Sequence, residues 1–103
     1  MKIRVTAKNY PQEVLRSETP VLVEFFAVWC GKCAMMEDVL DEIAKEYDGR
    51  VKVGQIEIEE SAVLAAEFEV GIVPAFVVFR DGKPVNYANG VLAKDVLIRM
   101  LEI

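Results

Sequence analysis

Apolar residues recur along this chain with distinct spacings, and each spacing predicts a kind of element. A nearly continuous apolar run extends over Val21–Ala27 and is broken only by Glu24, as in a strand buried within a parallel sheet. From Met36 to Tyr47 the apolar residues recur at helical spacing, which predicts an amphipathic helix. The segment Val51–Ile58 is predicted as a second strand. The most strongly patterned part of the chain is therefore strand, helix, strand.

Weaker patterns complete the order of elements. Ile3 and Val5 predict a short first strand, and two apolar runs around Asp81-Gly82 predict a β-hairpin. The remaining predictions are a short helix over Tyr10–Leu15, a helix over Ser61–Phe68 capped by Ser61, hairpin strands at Ala75–Arg80 and Pro84–Asn89, and a final helix over Ala93–Leu101. The order βαβαβαββα predicts an α/β fold, in which the hairpin adds antiparallel strands to a parallel sheet.

Length and charge limit the classes to which the chain can belong. Its 103 residues, 53% of them hydrophobic, suit a single domain over 1–103 with one core. A net charge of −5 without a basic cluster argues against nucleic acid and anionic membrane surfaces as partners. No apolar run has the roughly 18 residues of a membrane helix, and the first ten residues lack the apolar core of a secretory signal. We expect a cytoplasmic monomer, although a mature chain whose signal had been removed would have the same sequence.

The candidate chemistry lies in WCGKC, Trp29–Cys33, which holds the only tryptophan and the only two cysteines. A disulfide across two residues restricts the unfolded chain little, so a purely structural bridge is a weak interpretation. Structural zinc usually needs four ligands, and the chain has no histidine and no third cysteine, so we expect no metal. A redox-active dithiol is favoured. The start of a helix favours the thiolate of Cys30, whereas Cys33, inside the first turn, should be more buried.

Two further residues are candidates on chemical grounds. Glu24 lies within an apolar strand, and a buried carboxylate is costly unless paired, so its pKa should be raised into a range suited to proton transfer near neutrality. The alternative is a glutamate at an exposed edge of the strand. Gly31 should let another backbone approach the sulfur. Trp29 is either a core aromatic or a part of the site.

The combination of these segments resembles the thioredoxin family over nearly the whole chain. VLVEFFAVWCGKC is similar to the family's strand and WCGPC active site, and VGIVPAFVVF to the segment that carries its cis-proline. FRDGKP is similar to its hairpin, and Asn89–Val91 to its glycine loop. The resemblance implies the thioredoxin fold, a central mixed β-sheet with helices packed on both faces. It implies a thiol-disulfide oxidoreductase without a cofactor, which reduces protein disulfides and is recharged by a thioredoxin-reductase-type donor.

The resemblance also implies a role for each matching residue. Cys30 should attack a substrate disulfide, and Cys33 should resolve the mixed disulfide. Glu24 replaces an aspartate thought to deprotonate the resolving cysteine, and Gln55 replaces a lysine that often accompanies it, so Glu24 should be harder to ionise. Asp38 replaces a proline that often kinks the active-site helix, so a straighter helix is expected. The implied apolar docking surface comprises Trp29, Ile72, Val73, the cis-proline Pro74, Gly90 and Val91.

Lys32 stands where the family usually has proline. Its ammonium is expected to stabilise the Cys30 thiolate, and the loss of a stiff ring lets the dithiol loop relax, so both effects should make the protein more oxidising. The simpler interpretation is a solvated charge near the start of a helix. Two other functions stay open: a more oxidising protein that forms or shuffles disulfides, and a binding module whose redox chemistry is incidental.

Overall fold

Five strands form one mixed sheet in the computed structural model, which describes residues 1–103. The strands are β1 (Lys2–Arg4), β2 (Val21–Phe26), β3 (Lys52–Glu57), β4 (Ala75–Arg80) and β5 (Lys83–Asn89). Their order across the sheet is β1-β3-β2-β4-β5, with parallel pairing of β1, β3 and β2 and antiparallel pairing of β2, β4 and β5. The α/β fold, the mixed sheet and the hairpin predicted from the sequence are confirmed.

Helices cover both faces of this sheet. They are a short π-helix, Pro11–Leu15, followed by α1 (Gly31–Met35), α2 (Glu37–Glu46), α3 (Ala62–Glu67) and α4 (Lys94–Leu101). Alternation along β2 divides its side chains between two buried clusters. Val23 and Phe25 pack with the π-helix and α3, whereas Leu22 packs with α2 and α4. No helix of this chain has the length and hydropathy needed to span a membrane.

The helix predicted after the cysteines is interrupted at Met36. The Met36 N–H bonds to the carbonyl of Cys33 at 3.0 Å, a three-residue spacing that tightens the turn and ends α1. A tightened turn thus interrupts the helix without any proline, and the straighter course expected from Asp38 stays a prediction. Glu37 begins α2 directly after this turn, and its carboxylate accepts hydrogen bonds from Lys2 of β1 and Gln55 of β3.

Ser61 precedes α3 as predicted, but it does not cap the helix with its side chain. Its φ of −122° and ψ of 54° differ from the extended conformation that lets a cap side chain reach the first turn. The Ser61 Oγ is buried without a hydrogen-bond partner. Just upstream, the Glu57 carboxylate accepts from the backbone N–H groups of Glu59 and Glu60. The predicted capping role of Ser61 is wrong.

The turn between β4 and β5 depends on Gly82. Asp81 and Gly82 both have positive φ, 54° and 77°, as a two-residue hairpin turn requires. A Cβ on Gly82 would lie 2.5 Å from the carbonyl oxygen of Leu15. We expect Gly82→Ala to lower the free energy of unfolding by about 1–3 kcal/mol, because the backbone angle and this contact both oppose a side chain.

Denaturant unfolding of the oxidised protein measures this change. Gly71→Ala is the matched control, since a Cβ at Gly71 meets nothing within 4 Å and its φ is ordinary. The control should be close to neutral. An equal loss of stability in both variants would contradict the role given to the turn.

Candidate active site

Cys30 and Cys33 form a disulfide at the junction between β2 and α1. Cys30 occupies the cap position of α1, and its Sγ accepts a hydrogen bond from the Cys33 N–H at 3.1 Å. A donor at this position stabilises negative charge on the Cys30 sulfur once the disulfide is reduced. Cys33 is 4% exposed, whereas Cys30 is half-buried. The predicted contrast in burial between the two cysteines is confirmed.

The loop before β4 lies next to Cys30 and is joined to the loop after β5. The Cys30 Sγ lies 3.7 Å from the carbonyl oxygen of Val73. The Val73–Pro74 peptide is cis, as the resemblance implied. Pro74 is buried, and its carbonyl accepts a hydrogen bond from the Gly90 N–H at 2.8 Å, which joins the loop before β4 to the loop after β5. Residues distant in sequence are thereby held around one sulfur.

An exposed apolar rim surrounds the cysteines. Trp29 is 67% exposed, so its alternative interpretation as a core aromatic is wrong. Ile72 and Val91 are also exposed. Two further apolar side chains, not identified from the sequence, are exposed here: Val28 next to Trp29, and Met35 on α1. Apolar side chains that are grouped on a surface mark a place where a partner can cover them.

The two residues between the cysteines face solvent. A Cβ placed on Gly31 would meet nothing within 4 Å, so the space beside it is open to another chain. Lys32 is exposed and forms no ion pair. The effect of Lys32 on the Cys30 thiolate stays a prediction.

Glu24 is fully buried on β2, on the face that also carries Leu22. Its Oε1 accepts from Gln55 Nε2 at 2.9 Å, and its Oε2 has no partner. Burial raises the pKa of Glu24 to about 7; the Gln55 hydrogen bond opposes this shift, the Glu37 charge adds to it, and Lys2 lowers it. The buried carboxyl with a raised pKa is confirmed, and the exposed-edge alternative is wrong.

A pocket of about 260 Å³ opens beside the disulfide. Its lining includes both cysteines, Arg4, Ala34, Glu37 and Gln55, but not Glu24. From the sequence, Gln55 was identified only as a replacement, and Arg4 and Glu37 were not identified at all. No local pattern identifies these two residues, since their placement depends on the pairing of β1 with β3 and on the interruption at Met36. No group of three or more histidine, cysteine, aspartate or glutamate side chains is arranged to hold a metal ion.

Comparison with known proteins gives one consistent family. The family model described as Thioredoxin matches residues 1–103. Thioredoxin 1 of Nostoc sp. is 38% identical over 99 residues, which cover 96% of this chain and 92% of that protein. Thioredoxin 1 of Synechococcus elongatus is 39% identical over 98 residues, covering 95% and 92%. "Thioredoxin M3, chloroplastic" of Oryza sativa is 36% identical over 98 residues, covering 95% of this chain and 56% of that protein.

The unequal burial of the cysteines predicts unequal reactivity. In the reduced protein at neutral pH, we expect Cys30 to react with limiting iodoacetamide at least about 10-fold faster than Cys33, because Cys30 is accessible and its thiolate is favoured. Mass spectrometry of peptides after a brief reaction locates the label. Denatured protein is the control, in which the two rates should converge. Equal labelling in the native protein, or label mainly on Cys33, would reverse the roles of the cysteines.

Proposed function

This chain belongs to the thioredoxin family and is a thiol-disulfide oxidoreductase, and we propose that it works as a reductant of protein disulfides through Cys30 and Cys33. The observation that carries the proposal is the asymmetry of the pair. Cys30 is accessible and accepts the Cys33 N–H, while Cys33 is buried directly behind it. One sulfur can meet a substrate, and the other can attack only the first.

The proposed exchange has two steps. The Cys30 thiolate attacks one sulfur of a substrate disulfide, the substrate S–S bond breaks, and the other substrate sulfur leaves as a thiolate. Cys33 then attacks the Cys30 sulfur, its proton passes to the Glu24 carboxylate, and the second substrate sulfur leaves as a thiolate. The protein dithiol loses two electrons to form its disulfide, and one substrate disulfide is reduced to two thiolates, which take up protons from solvent.

The proposed docking surface consists of Trp29, Ile72, Val73, Pro74, Gly90 and Val91, with Gly31 and Lys32 at its edge. The short distance from the Cys30 sulfur to the Val73 carbonyl supports this assignment, because an extended substrate segment paired with the Val73 backbone would bring its own sulfur close to Cys30. The exposed Trp29 ring supports it as well, since substrate binding would cover apolar surface there.

The proposed cycle ends with a thioredoxin-reductase-type donor, which returns two electrons to the Cys30–Cys33 disulfide. The proposed setting is the cytoplasm, a reducing compartment in which the dithiol is ready for a substrate. In this proposal the protein acts as a monomeric single domain in redox homeostasis. The comparisons do not favour a disulfide-forming protein or a binding module, because the relatives described above are named thioredoxins.

The reduction potential separates a reductant from an oxidant. We expect a value near the thioredoxin level of about −270 mV when the protein is equilibrated with a thioredoxin of known potential. Reduction of insulin disulfides, driven by a thioredoxin reductase, should require Cys30 and be lost in Cys30→Ser. A potential between roughly −180 and −120 mV would instead favour the disulfide-forming alternative.

The second step should depend on Glu24. We expect Glu24→Gln to keep the first attack but to slow resolution of the mixed disulfide by roughly 10²-fold at pH 8, because the proton acceptor is gone. In the wild-type protein the resolution rate should rise as pH increases through about 7, where Glu24 ionises. Acid quench and mass spectrometry follow the mixed disulfide. Equal resolution by both proteins across the pH range would remove Glu24 from the mechanism.

The same variant should change the pH dependence of stability. The folded state raises the pKa of Glu24 from 4.5 to about 7, so it favours the protonated carboxyl. This contribution to stability is complete below pH 4.5 and is lost as pH rises to about 7. Oxidised Glu24→Gln should therefore gain stability relative to wild type between these values, by about 3 kcal/mol at pH 8. Denaturant unfolding at pH 4 and pH 8 tests this, and an equal difference at both values contradicts it.

A further inference from the structure

One side-chain amide nitrogen donates hydrogen bonds to two carboxylates beside the redox site. Gln55 Nε2 donates to Glu24 Oε1 at 2.9 Å and to Glu37 Oε1 at 2.9 Å. An amide –NH₂ has two hydrogens, so each carboxylate takes one. Because both oxygens lie 2.9 Å from the same atom, they are at most twice that distance, 5.8 Å, apart.

The two carboxylates share this donor but differ in their burial and in their other partners. Glu24 is fully buried, and Gln55 is its only hydrogen-bond partner. The Glu37 side chain is 48% exposed and binds Lys2 Nζ at 2.7 Å, and Lys2 also binds Asp41 at 3.0 Å. The buried carboxyl is thus linked to a cluster of surface charges through one side-chain amide.

We propose that Glu37 is a positioning residue of the redox site, which acts on Glu24 through Gln55 and so sets how readily Glu24 takes the proton of Cys33. This proposal rests on the proposed function, in which Glu24 is the acceptor of that proton. Glu37 and Gln55 both line the pocket beside Cys33. The link therefore lies next to the sulfur that loses its proton.

Glu37 affects Glu24 in two opposite ways. Its own charge opposes a second negative charge on Glu24, at a separation where Coulomb repulsion is still substantial. Its hydrogen bond also fixes the Gln55 amide, which then points its other hydrogen at Glu24 and favours the ionised carboxylate. Substitutions at the two positions separate these effects, because Glu37→Gln removes the charge but keeps an acceptor, whereas Gln55→Met removes the donor.

The other elements around Glu24 supply one further charge. β1 supplies Lys2, which favours ionised Glu24. β4 places Phe76 opposite Glu24, and α4 contributes the apolar Leu97 and Leu101 to this face. α1 supplies Cys33, which is locked in the disulfide in the oxidised protein. The ionisation of Glu24 in that state is therefore governed by burial, Gln55, Glu37 and Lys2.

Carboxyl ¹³C NMR of the oxidised protein tests the proposal through the titration midpoint of Glu24. The wild-type midpoint should be about 7. Glu37→Gln should lower it by roughly 0.5–1 pH unit, since a partly screened negative charge is removed. Gln55→Met should raise it, since the only donor to Glu24 is lost. The pH profile of mixed-disulfide resolution should move in the same directions as these midpoints.

Two comparisons make the test specific. Glu42→Gln removes the same charge from α2 at a residue that pairs with Lys94 and makes no contact with Gln55, so it should leave the midpoint unchanged. In a Gln55→Met background, Glu37→Gln should shift the midpoint less than in wild type, because Glu37 is no longer held beside Glu24. Should Gln55→Met fail to fold, Glu37→Leu replaces it. This variant removes the acceptor as well as the charge, so it should lower the midpoint less than Glu37→Gln does, and an equal shift in the two would overturn the link through Gln55.

The outcomes distinguish this inference from the function on which it rests. An unchanged midpoint in Glu37→Gln, an equal shift in Glu42→Gln, or a full shift in the Gln55→Met background would overturn the positioning role. Such a result combined with slow resolution in Glu24→Gln would leave the proposed mechanism intact. The expected midpoint shifts combined with normal resolution in Glu24→Gln would instead keep the coupling and remove Glu24 from the exchange.

Discussion

The central strand β2 is hydrogen-bonded to β3 along one edge and to β4 along the other, and the site is built outward from it. Alternation along β2 sends Glu24 into the face covered by α2 and α4. Pairing in register places Gln55 on one side of Glu24 and Phe76 on the other. The chain then leaves β2 and reaches Cys30 within four residues. A slip of one residue in this pairing would turn Glu24 to the opposite face and separate it from the cysteines.

Burial of Glu24 lowers the stability of the folded protein, and it also raises the pKa of this carboxyl. One of its carboxyl oxygens has a donor and the other has none, so an apolar side chain of similar size would make a more stable core. The same burial raises its pKa to about 7, which brings the exchange of its proton close to neutral pH. A fully satisfied, ionised carboxylate would be cheaper to bury but a poorer proton acceptor. The unpartnered oxygen is a cost to stability that the proposed transfer of a proton from Cys33 would explain.

Patterns within single elements predicted most of the fold and the centre of the site. The apolar run of β2 predicted a buried strand and singled out Glu24 as its only charged residue. The CxxC spacing identified the dithiol. The network around Glu24 could not be predicted this way, because Glu37 reaches Gln55 only through the meeting of α2 with β3. The Met36 turn was also missed, since apolar spacing continues through it without change. Contacts between elements that are distant in sequence leave no periodic signal in either partner.

Gln55 stands where the resemblance to the family implied a lysine, and it places a neutral amide next to the buried acid. The sequence predicted that Glu24 would become harder to ionise. A positive charge that lowers the pKa of Glu24 is still present on Lys2, which pairs with Glu37. Lys2 is 15% exposed and is shared with Glu37 and Asp41, so much of its field is neutralised before it reaches Glu24. A neutral amide next to the acid favours the carboxylate only by a hydrogen bond, whose strength depends on its direction. The ionisation of Glu24 is therefore sensitive to the orientation of that amide, whose other hydrogen is bound by the half-exposed carboxylate of Glu37.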